Sequence, residues 1–405
     1  MKKSLFNATA LTGSATLLAG IVSAAEAPTW KLTGNANFQF YYVDQDRNTQ
    51  TDGDSWSDSP ANFGASTWYN TDGNPGMQDH GWYFGVDEAE LQLNVSGAAD
   101  NGLNYGFKIE INANTTDGAV ADEVRLQLSG GWGTLQLGDE DGAEDMMNFG
   151  GEDLMGATGG FDGDFDDVLL RIGTTKNGFQ NYGAPSYPTI AGDTGDATKV
   201  TYYSPRFSGF QVGASITPQP GLSGDNFKAD GAFENHIGIG ANYDNSFGDL
   251  RIRASAVYSG ASSNATWIND VSAWSVGGIV GWNAFSIGAN YTDNGDSGTR
   301  KLPGSGWSSD SSYWDVAASF ETGPIYLSAG YFSSVRSYSG PGANYDDSTF
   351  ETIALTADYT MAPGLGVYAE IDLISEDLDI SDVYCQGSGC ENDATLFIAG
   401  ANISF

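Results

Sequence analysis

The sequence is poor in basic residues. Its 405 residues include 16 Lys and Arg against 52 Asp and Glu, which gives a formal net charge of −36. Because the phosphate backbone of a nucleic acid is also negative, it would repel this chain, and we expect no nucleic-acid partner. The 13% aromatic content argues against a disordered acidic chain, since such chains contain few aromatic side chains.

Long apolar runs are also missing, except near the start. Two lysines precede a small, apolar stretch, Ala8–Val22, and Val22-Ser23-Ala24 offers small residues for cleavage. This pattern is typical of an export signal. We therefore predict a signal peptide over residues 1–24 and one mature unit over residues 25–405. An exported chain without a spanning helix is either soluble outside the inner membrane or crosses a bilayer as strands.

Histidine and cysteine are scarce as well. His80 and His236 are the two histidines, and no Ser/His/Asp constellation can be placed from their neighbours. We therefore do not expect the protein to be an enzyme, although paired carboxylates alone can perform acid–base chemistry. The two cysteines, Cys385 and Cys390, lie close together in the segment CQGSGC. In an exported chain such a pair predicts a local disulfide rather than a metal or redox site.

The sequence is rich in alternating polar and apolar residues. In the segment LNYGFKIEIN every second residue is apolar, and the residues between are polar or glycine. A period of two predicts a β-strand with one apolar and one polar face. The pattern predicts sixteen strands, over residues 31–42, 88–95, 103–112, 124–128, 134–138, 199–203, 210–217, 236–244, 250–259, 274–282, 285–292, 314–320, 325–332, 352–360, 365–373 and 395–405.

Short and long connections alternate between these strands. Seven are short turns, and eight are longer and mostly rich in Asp, Asn, Ser and Gly. Aromatic residues gather beside the short turns, as in the interfacial girdle of a membrane barrel. A closed, even-numbered sheet also satisfies every backbone hydrogen bond in lipid. We therefore predict an all-β fold, a 16-stranded antiparallel transmembrane β-barrel; a soluble β-sandwich is the alternative.

The chain resembles the general-diffusion porins of Gram-negative outer membranes, in particular the trimeric porins of alphaproteobacterial type. The resemblance lies in the C-terminal FIAGANISF, in KVTYYSPRFSGFQVGASITP and in an acidic stretch between the fifth and sixth predicted strands. It implies an outer-membrane location, contact with lipid and lipopolysaccharide, and a homotrimer. It also implies that the barrel-assembly machinery reads the terminal Phe405.

The acidic stretch corresponds to the third loop of such porins, which folds into the barrel and narrows it. This acidic segment covers residues 139–170. By resemblance its eleven carboxylates form one wall of a pore constriction: Asp139, Glu140, Asp141, Glu144, Asp145, Glu152, Asp153, Asp162, Asp164, Asp166 and Asp167. The family sets basic side chains opposite this loop, and strand parity puts five on the polar, lumen-facing side: Lys31, Lys108, Arg125, Arg251 and Arg253.

The resemblance implies a water-filled channel for passive diffusion of small hydrophilic solutes and ions. A lumen bounded by sixteen strands is too wide for side chains to fill, and carboxylates in a pore concentrate cations, so we expect cation preference. A ligand-selective channel for one small solute is the alternative.

The runs Asp52–Asp54 and Asp162–Asp167 hold the oxygen ligands that Ca²⁺ prefers. Two hypotheses therefore stay open: no cofactor, or Ca²⁺ bound by loop carboxylates.

Overall fold

The structure, a computed structural model, describes residues 27–49, 80–113, 121–169, 184–219, 233–299, 301, 308–340, 347–378 and 390–405. The predicted signal peptide lies outside these residues. Nearly all regular structure in the described chain is β-strand. The α-helix among the described residues is the single turn α1, Ala143–Met146. No helix in the described part of the chain is long and apolar enough to span a membrane.

Seventeen strand segments form one antiparallel sheet. From β3 onward each segment pairs with the next, and β17 pairs with β1, which closes the sheet into a barrel. The segments are β1 Thr29–Thr49, β2 His80–Gly85, β3 Ala89–Ala98, β4 Asn104–Asn112, β5 Ala121–Gly130, β6 Gly133–Asp139, β7 Thr198–Tyr203, β8 Phe210–Thr217, β9 Phe233–Phe247, β10 Leu250–Ser263, β11 Val271–Trp282, β12 Phe285–Gly295, β13 Ser308–Thr322, β14 Ile325–Ser339, β15 Ser348–Ala362, β16 Leu365–Leu378 and β17 Cys390–Ser404.

The segments β2 and β3 are two halves of one strand. β2 pairs with residues 39–44 of β1, and β3 pairs with residues 29–36 of the same strand. Asn37 bridges the break, because its Oδ1 accepts hydrogen bonds from the backbone N–H groups of Asp87 (3.0 Å) and Glu88 (2.8 Å). The barrel therefore has sixteen strands, which confirms the predicted number.

The outer face of the barrel is apolar and exposed. Aliphatic side chains such as Val212, Ile239 and Ile287 are 55%, 49% and 56% exposed, whereas their chain neighbours on the inner face are more buried. Lipid cannot form hydrogen bonds with the backbone, and a closed sheet leaves no strand edge with unpaired N–H or C=O groups facing it. The alternation predicted from the sequence is thus the alternation between the two faces of a barrel wall.

Aromatic side chains form a belt near each end of this outer face. Cross-strand pairs show the arrangement: the rings of Phe285 and Phe320 are 4.7 Å apart at the turn end, and those of Trp274 and Tyr291 are 5.6 Å apart nearer the long loops. Exposed aromatic residues at the turn end also include Trp132, Phe207, Phe210, Phe247, Trp282 and Phe405. Such belts are typical of the two membrane interfaces of a barrel, and the predicted girdle beside the turns is confirmed.

The inner face is less polar than the alternation predicts. A buried hydrophobic core lies between the acidic segment and the inner side of β13–β17 and β1. The segment contributes Leu154, Met155, Phe161, Phe165, Val168 and Leu169, and the strands contribute Tyr41, Val43, Tyr313, Ala317, Phe332, Phe350, Ala354, Ile374, Ala394, Leu396 and Ile398. Inner residues that another part of the chain covers do not meet water, so they need not be polar.

We predict that Phe332→Ala destabilises this core. Phe332 is 0% exposed, and its ring lies 5.9 Å from that of Phe161 and 5.5 Å from that of Tyr313. Truncating a buried Phe to Ala costs about 3–5 kcal/mol of unfolding free energy, which urea unfolding in detergent micelles measures. Phe285→Ala, in the exposed belt, is the control and should cost much less. Equal losses for the two variants would contradict a core inside the barrel.

Candidate functional site: the acidic segment and the inner wall

The acidic segment is attached to inner-facing polar side chains through its own backbone N–H groups. The N–H of Gly151 donates to Asp315 Oδ1 on β13 (2.6 Å), and the N–H of Gly156 donates to Ser328 Oγ on β14 (2.9 Å). The N–H of Ala157 donates to both oxygens of Asp358 on β15 (3.0 Å each). Carboxylates on the wall thus satisfy buried donors of a segment that has little secondary structure of its own.

Three of the eleven predicted carboxylates are buried and hold the segment in place. Glu140, 6% exposed, forms an ion pair with Arg125. Glu144, 1% exposed, accepts a hydrogen bond from Ser215 Oγ (2.7 Å). Asp164, 1% exposed, accepts one from Gln39 Nε2 (2.5 Å). Their burial favours anchoring over lining a water-filled space.

The remaining eight carboxylates of the predicted set are half-buried. Asp167, for example, accepts a hydrogen bond from the Tyr41 hydroxyl (2.9 Å), and Asp139, at the end of β6, accepts one from the Thr198 hydroxyl. These eight stay candidates for a wall that meets water: Asp139, Asp141, Asp145, Glu152, Asp153, Asp162, Asp166 and Asp167.

Residues 184–197 follow the acidic segment along the inner face. The N–H of Ala191 donates to Asn294 Oδ1 on β12 (2.8 Å), and Pro185 accepts a hydrogen bond from Ser334 on β14. Ile190 packs with Met147 of the acidic segment and Val257 of β10 in a second small core. The described residues of the connection between β6 and β7 therefore contact inner-facing side chains of β8, β12 and β14.

Glycines on the inner face make room for the segment. A Cβ atom at Gly277 would lie 1.9 Å from the carbonyl oxygen of Phe149, and one at Gly238 would lie 1.5 Å from Glu144 Oε2. A Cβ atom at Gly330 would lie 2.5 Å from the Phe161 ring. Real atoms do not approach so closely, so any larger residue would push the segment away from the wall.

The predicted basic residues share the inner face, but they do not form a free row opposite the segment. Lys108 Nζ lies 2.7 Å from Glu110 and 2.5 Å from Glu123, both on the wall itself. Arg125 pairs with Glu140 at the start of the acidic segment.

The bases on β10 and β1 are placed differently. Arg251 pairs with Asp244 on the neighbouring strand (2.7 Å), and the Arg253 guanidinium lies 5.1 Å from the centre of the Phe149 ring. Lys31 is exposed near the turn end of β1. Lys199 was missed by the sequence reasoning: it is 4% exposed, and its Nζ donates to the carbonyl oxygens of Glu140 and Gly195. The alternation along β7 places Lys199 on the inner face directly after the acidic connection, and this position could have predicted its role.

An acidic patch lies on the inner side of β3–β5 and on the facing connection. It contains two groups in which one carboxylate oxygen from each residue lies within 4.8 Å of the others: Glu90, Glu110 and Asp122, and Glu123, Asp141 and Asp196. Burial, and then the neighbouring Asp145 and Asp193, raise the pKa of Asp141 to about 9. Burial also raises the pKa of Asp193 to about 7 and that of Asp196 to about 6.

A sequence model of the Gram-negative porin family matches residues 8–378. The chain belongs to this family. A protein of Rickettsia bellii described as uncharacterized is 25% identical over 226 residues, which covers 43% of this chain and 49% of that protein. The porin therefore spans about half the length of this curated relative.

Solved structures show the same fold as this porin. OmpT of Vibrio cholerae, described in its trimer form, has a TM-score of 0.59 at 14% identity, covering 94% of this chain and 100% of that one. An anion-selective porin of Comamonas acidovorans has a TM-score of 0.57 at 17% identity, with 94% and 100% covered. The family and the closed barrel place the protein in the outer membrane of a Gram-negative bacterium.

Several sequence predictions for this porin fall outside what the structure describes. Cys385 and Asp52–Asp54 lie outside the described residues, and the side chain of Cys390 is not described, so the disulfide stays a prediction. Phe405 is 67% exposed on the outer face, where its N–H donates to the Gly34 carbonyl oxygen (3.0 Å). Its role in assembly stays a prediction.

We predict that Gly277→Ala releases the acidic segment. An overpacking penalty of about 2 kcal/mol on the attached state raises the detached population roughly 30-fold. An Asp/Glu-specific protease acting on the purified porin in detergent should then cleave the segment faster. Gly131→Ala, at a turn glycine with no atom within 4 Å of the added Cβ, should leave the rate unchanged. Unchanged cleavage of Gly277→Ala would contradict the close contact.

Proposed function

We propose that this porin forms a water-filled channel for passive diffusion of small hydrophilic solutes and ions, with a preference for cations. The carrying observation is the acidic patch on the inner wall, whose carboxylates outnumber the bases beside them. Sixteen strands enclose a lumen too wide to be filled by wall side chains alone. Water and small solutes can then cross without any chemistry from the protein.

The acidic segment would form the constriction of this channel. Its contacts support this proposal, because they reach Ser215 on β8, Asp315 on β13 and Gln39 on β1, which are strands spread around the closed sheet. A segment attached to the inner side of such widely spaced strands has to cross the enclosed space. The described contacts are concentrated on β7–β17 and β1, so the water path would run beside β3–β6.

The wall of β3–β6 is suited to such a path. Its inner-facing Gln92, Asn94, Gln127 and Gln136 are half-buried rather than packed under the segment. The bases beside this path are already engaged, since Lys108 and Arg125 pair with carboxylates. Fixed negative charge that is not neutralised raises the local concentration of cations.

The selectivity of a porin depends on these side chains rather than on the barrel. The Comamonas acidovorans porin is described as anion-selective and shares the fold at 17% identity. We infer the opposite preference here, because the net charge of the chain is −36 and its inner wall carries the acidic patch. A ligand-selective channel is the alternative, and saturable block of the current by one small solute would favour it.

The proposal also covers the oligomeric state, the partners in the outer membrane and the binding of Ca²⁺. A homotrimer is supported by the trimer form of OmpT, and contact with lipid, lipopolysaccharide and the barrel-assembly machinery follows from the outer-membrane location. For Ca²⁺, the oxygen-rich groups among the described residues are those of the acidic patch, and they do not include Asp162–Asp167. Calcium binding by loop carboxylates therefore stays a hypothesis. Asp141 is the residue of the acidic segment that belongs to one of these carboxylate groups.

We predict cation preference that weakens with salt. The Debye length falls from about 30 Å at 0.01 M to about 3 Å at 1 M, so fixed carboxylates act across the pore only in dilute salt. Reversal potentials in planar bilayers under KCl gradients measure the preference for K⁺ over Cl⁻. Anion preference at low salt would overturn the proposed selectivity while leaving the barrel intact.

We also predict that the preference increases with pH. The pKa values of Asp196, Asp193 and Asp141 are raised to about 6, about 7 and about 9. These groups are neutral below those values and gain negative charge as the pH rises through them. Reversal potentials should therefore shift toward K⁺ between about pH 5 and about pH 10.

The Asp141→Asn variant measures how much the acidic patch contributes to the pH dependence of the cation preference. This variant should lose the part of the shift above about pH 8, because the group that titrates there is gone. Asp249→Asn, which removes one exposed carboxylate in the turn between β9 and β10, is the matched control and should keep the whole shift. An Asp141→Asn profile identical to that of the unmodified protein would contradict a role for the patch.

A further inference from the structure

Two carboxyl groups on β16 are buried against each other beneath the acidic segment. Glu370 and Asp372 are both 0% exposed, and they point to the inner face two residues apart. Because alternate residues of a strand point to the same face, the two side chains are neighbours on the inner side of β16. Asp164 of the acidic segment, 1% exposed, lies near enough for its charge to act on Asp372.

Within the described part of the chain, no basic side chain faces this pair from β15 or β17. On β15, Thr356 is opposite Glu370 and Ala354 is opposite Asp372; on β17, Ile398 and Leu396 take these places. None of the ion pairs between described residues includes either acid. The acidic segment that covers the pair carries Asp164, which accepts a hydrogen bond from Gln39, and Asp167, which accepts one from Tyr41. Asp358 on β15 accepts one from the N–H of Ala157.

The two carboxyl groups differ in their hydrogen bonds. Glu370 Oε2 accepts from the Thr158 N–H (3.0 Å), the Thr158 hydroxyl (2.9 Å) and the Gly160 N–H (3.3 Å). These three donors stabilise a negative charge on Glu370. None of the described groups donates to Glu370 Oε1 or to either oxygen of Asp372.

Two adjacent buried carboxylates without a counter-ion cannot both be charged, because each would be desolvated and would repel the other. A proton on one oxygen of Asp372, donated to Glu370 Oε1, satisfies two of these three oxygens at once. A multivalent cation held by three carboxylates fits less well, since the groups of three described carboxylates with oxygens within 4.8 Å do not include this pair.

We propose that Glu370 and Asp372 form a proton-binding site that couples attachment of the acidic segment to pH. With the proton bound, Glu370 stays in place and holds Thr158 and Gly160. When hydroxide removes the proton from Asp372, forming water, two like charges meet in a buried space. The pair then moves apart toward water, Glu370 releases its three donors, and the segment leaves β16. This inference rests on the proposed channel, because the segment has to border the water path for its release to widen the pore.

Single-channel recording in 1 M KCl tests the coupling. At this salt concentration the Debye length is about 3 Å, so conductance reports pore width more than fixed charge. The unmodified porin should show one low conductance at neutral pH and a higher, fluctuating conductance as the pH is raised into the alkaline range. A channel whose conductance shows no such step would overturn the inference and leave the proposed function standing. Absence of any channel would instead overturn the proposed function.

Two substitutions in the pair should change the single-channel conductance in opposite ways. In Asp372→Asn the amide donates to Glu370 at every pH, so the low conductance should persist and the alkaline step should be lost. In Glu370→Gln the charged acceptor for Thr158 and Gly160 is gone, so the high conductance should already occur at neutral pH. Asp249→Asn should behave as the unmodified protein.

An alkaline step that survives in Asp372→Asn would overturn the proposal. Retention of a barrel by each variant is checked by its far-ultraviolet circular dichroism and by its unheated mobility in a gel. Should a variant fail to assemble, the step in the unmodified porin and the remaining variant still decide the question.

Discussion

The structure depends on one constraint: every backbone N–H and C=O group of a strand that crosses lipid has to be paired with another strand. The pairing of β1 with β17 meets this constraint by removing the two edges of the sheet. Closure then fixes everything else about the wall. One face of each strand meets hydrocarbon, and the other meets the enclosed space.

The enclosed space creates a second problem, which the connection between β6 and β7 addresses. In the described residues of this connection the backbone has little regular structure and is largely buried, so its N–H groups need acceptors. Carboxylates and hydroxyls on the wall provide them, as Asp315, Asp358 and Glu370 do for Gly151, Ala157 and Thr158. Inner glycines such as Gly277 allow the backbone of the connection to approach the wall. The acids of this region therefore serve two purposes, anchoring where they are buried and carrying charge where they are not.

Much of the barrel could be predicted because the period of two is a local property of each strand. The strand number and the two faces follow from it, and the aromatic belt at the turn end follows from the aromatic residues beside the short turns. β2 was missed because the adjacent aromatic residues of HGWYFG hide the alternation: Tyr83 is inner-facing but packs against the hydrophobic core. Strand ends were also predicted too short, as on β14, which continues to Ser339 through a serine-rich stretch with weaker alternation.

The interior could not be predicted to the same extent. Which wall residues are covered depends on the path of the acidic segment, and no local pattern encodes that path. The apolar Phe350 and Leu396 on the inner face, the buried position of Glu144 and the engagement of Lys199 are all consequences of it. The resemblance to porins identified the segment, but not which of its carboxylates are anchors.

The central claim is that adjacent residues of one strand meet lipid and water in turn, and spin labels on β5 test it most directly. Leu126 is 52% exposed on the outer face, and Gln127 is half-buried on the inner face. In reconstituted liposomes, a label at residue 126 should collide mainly with lipid-soluble oxygen, and one at residue 127 mainly with a water-soluble nickel chelate. Equal or reversed collision rates at the two positions would contradict the account.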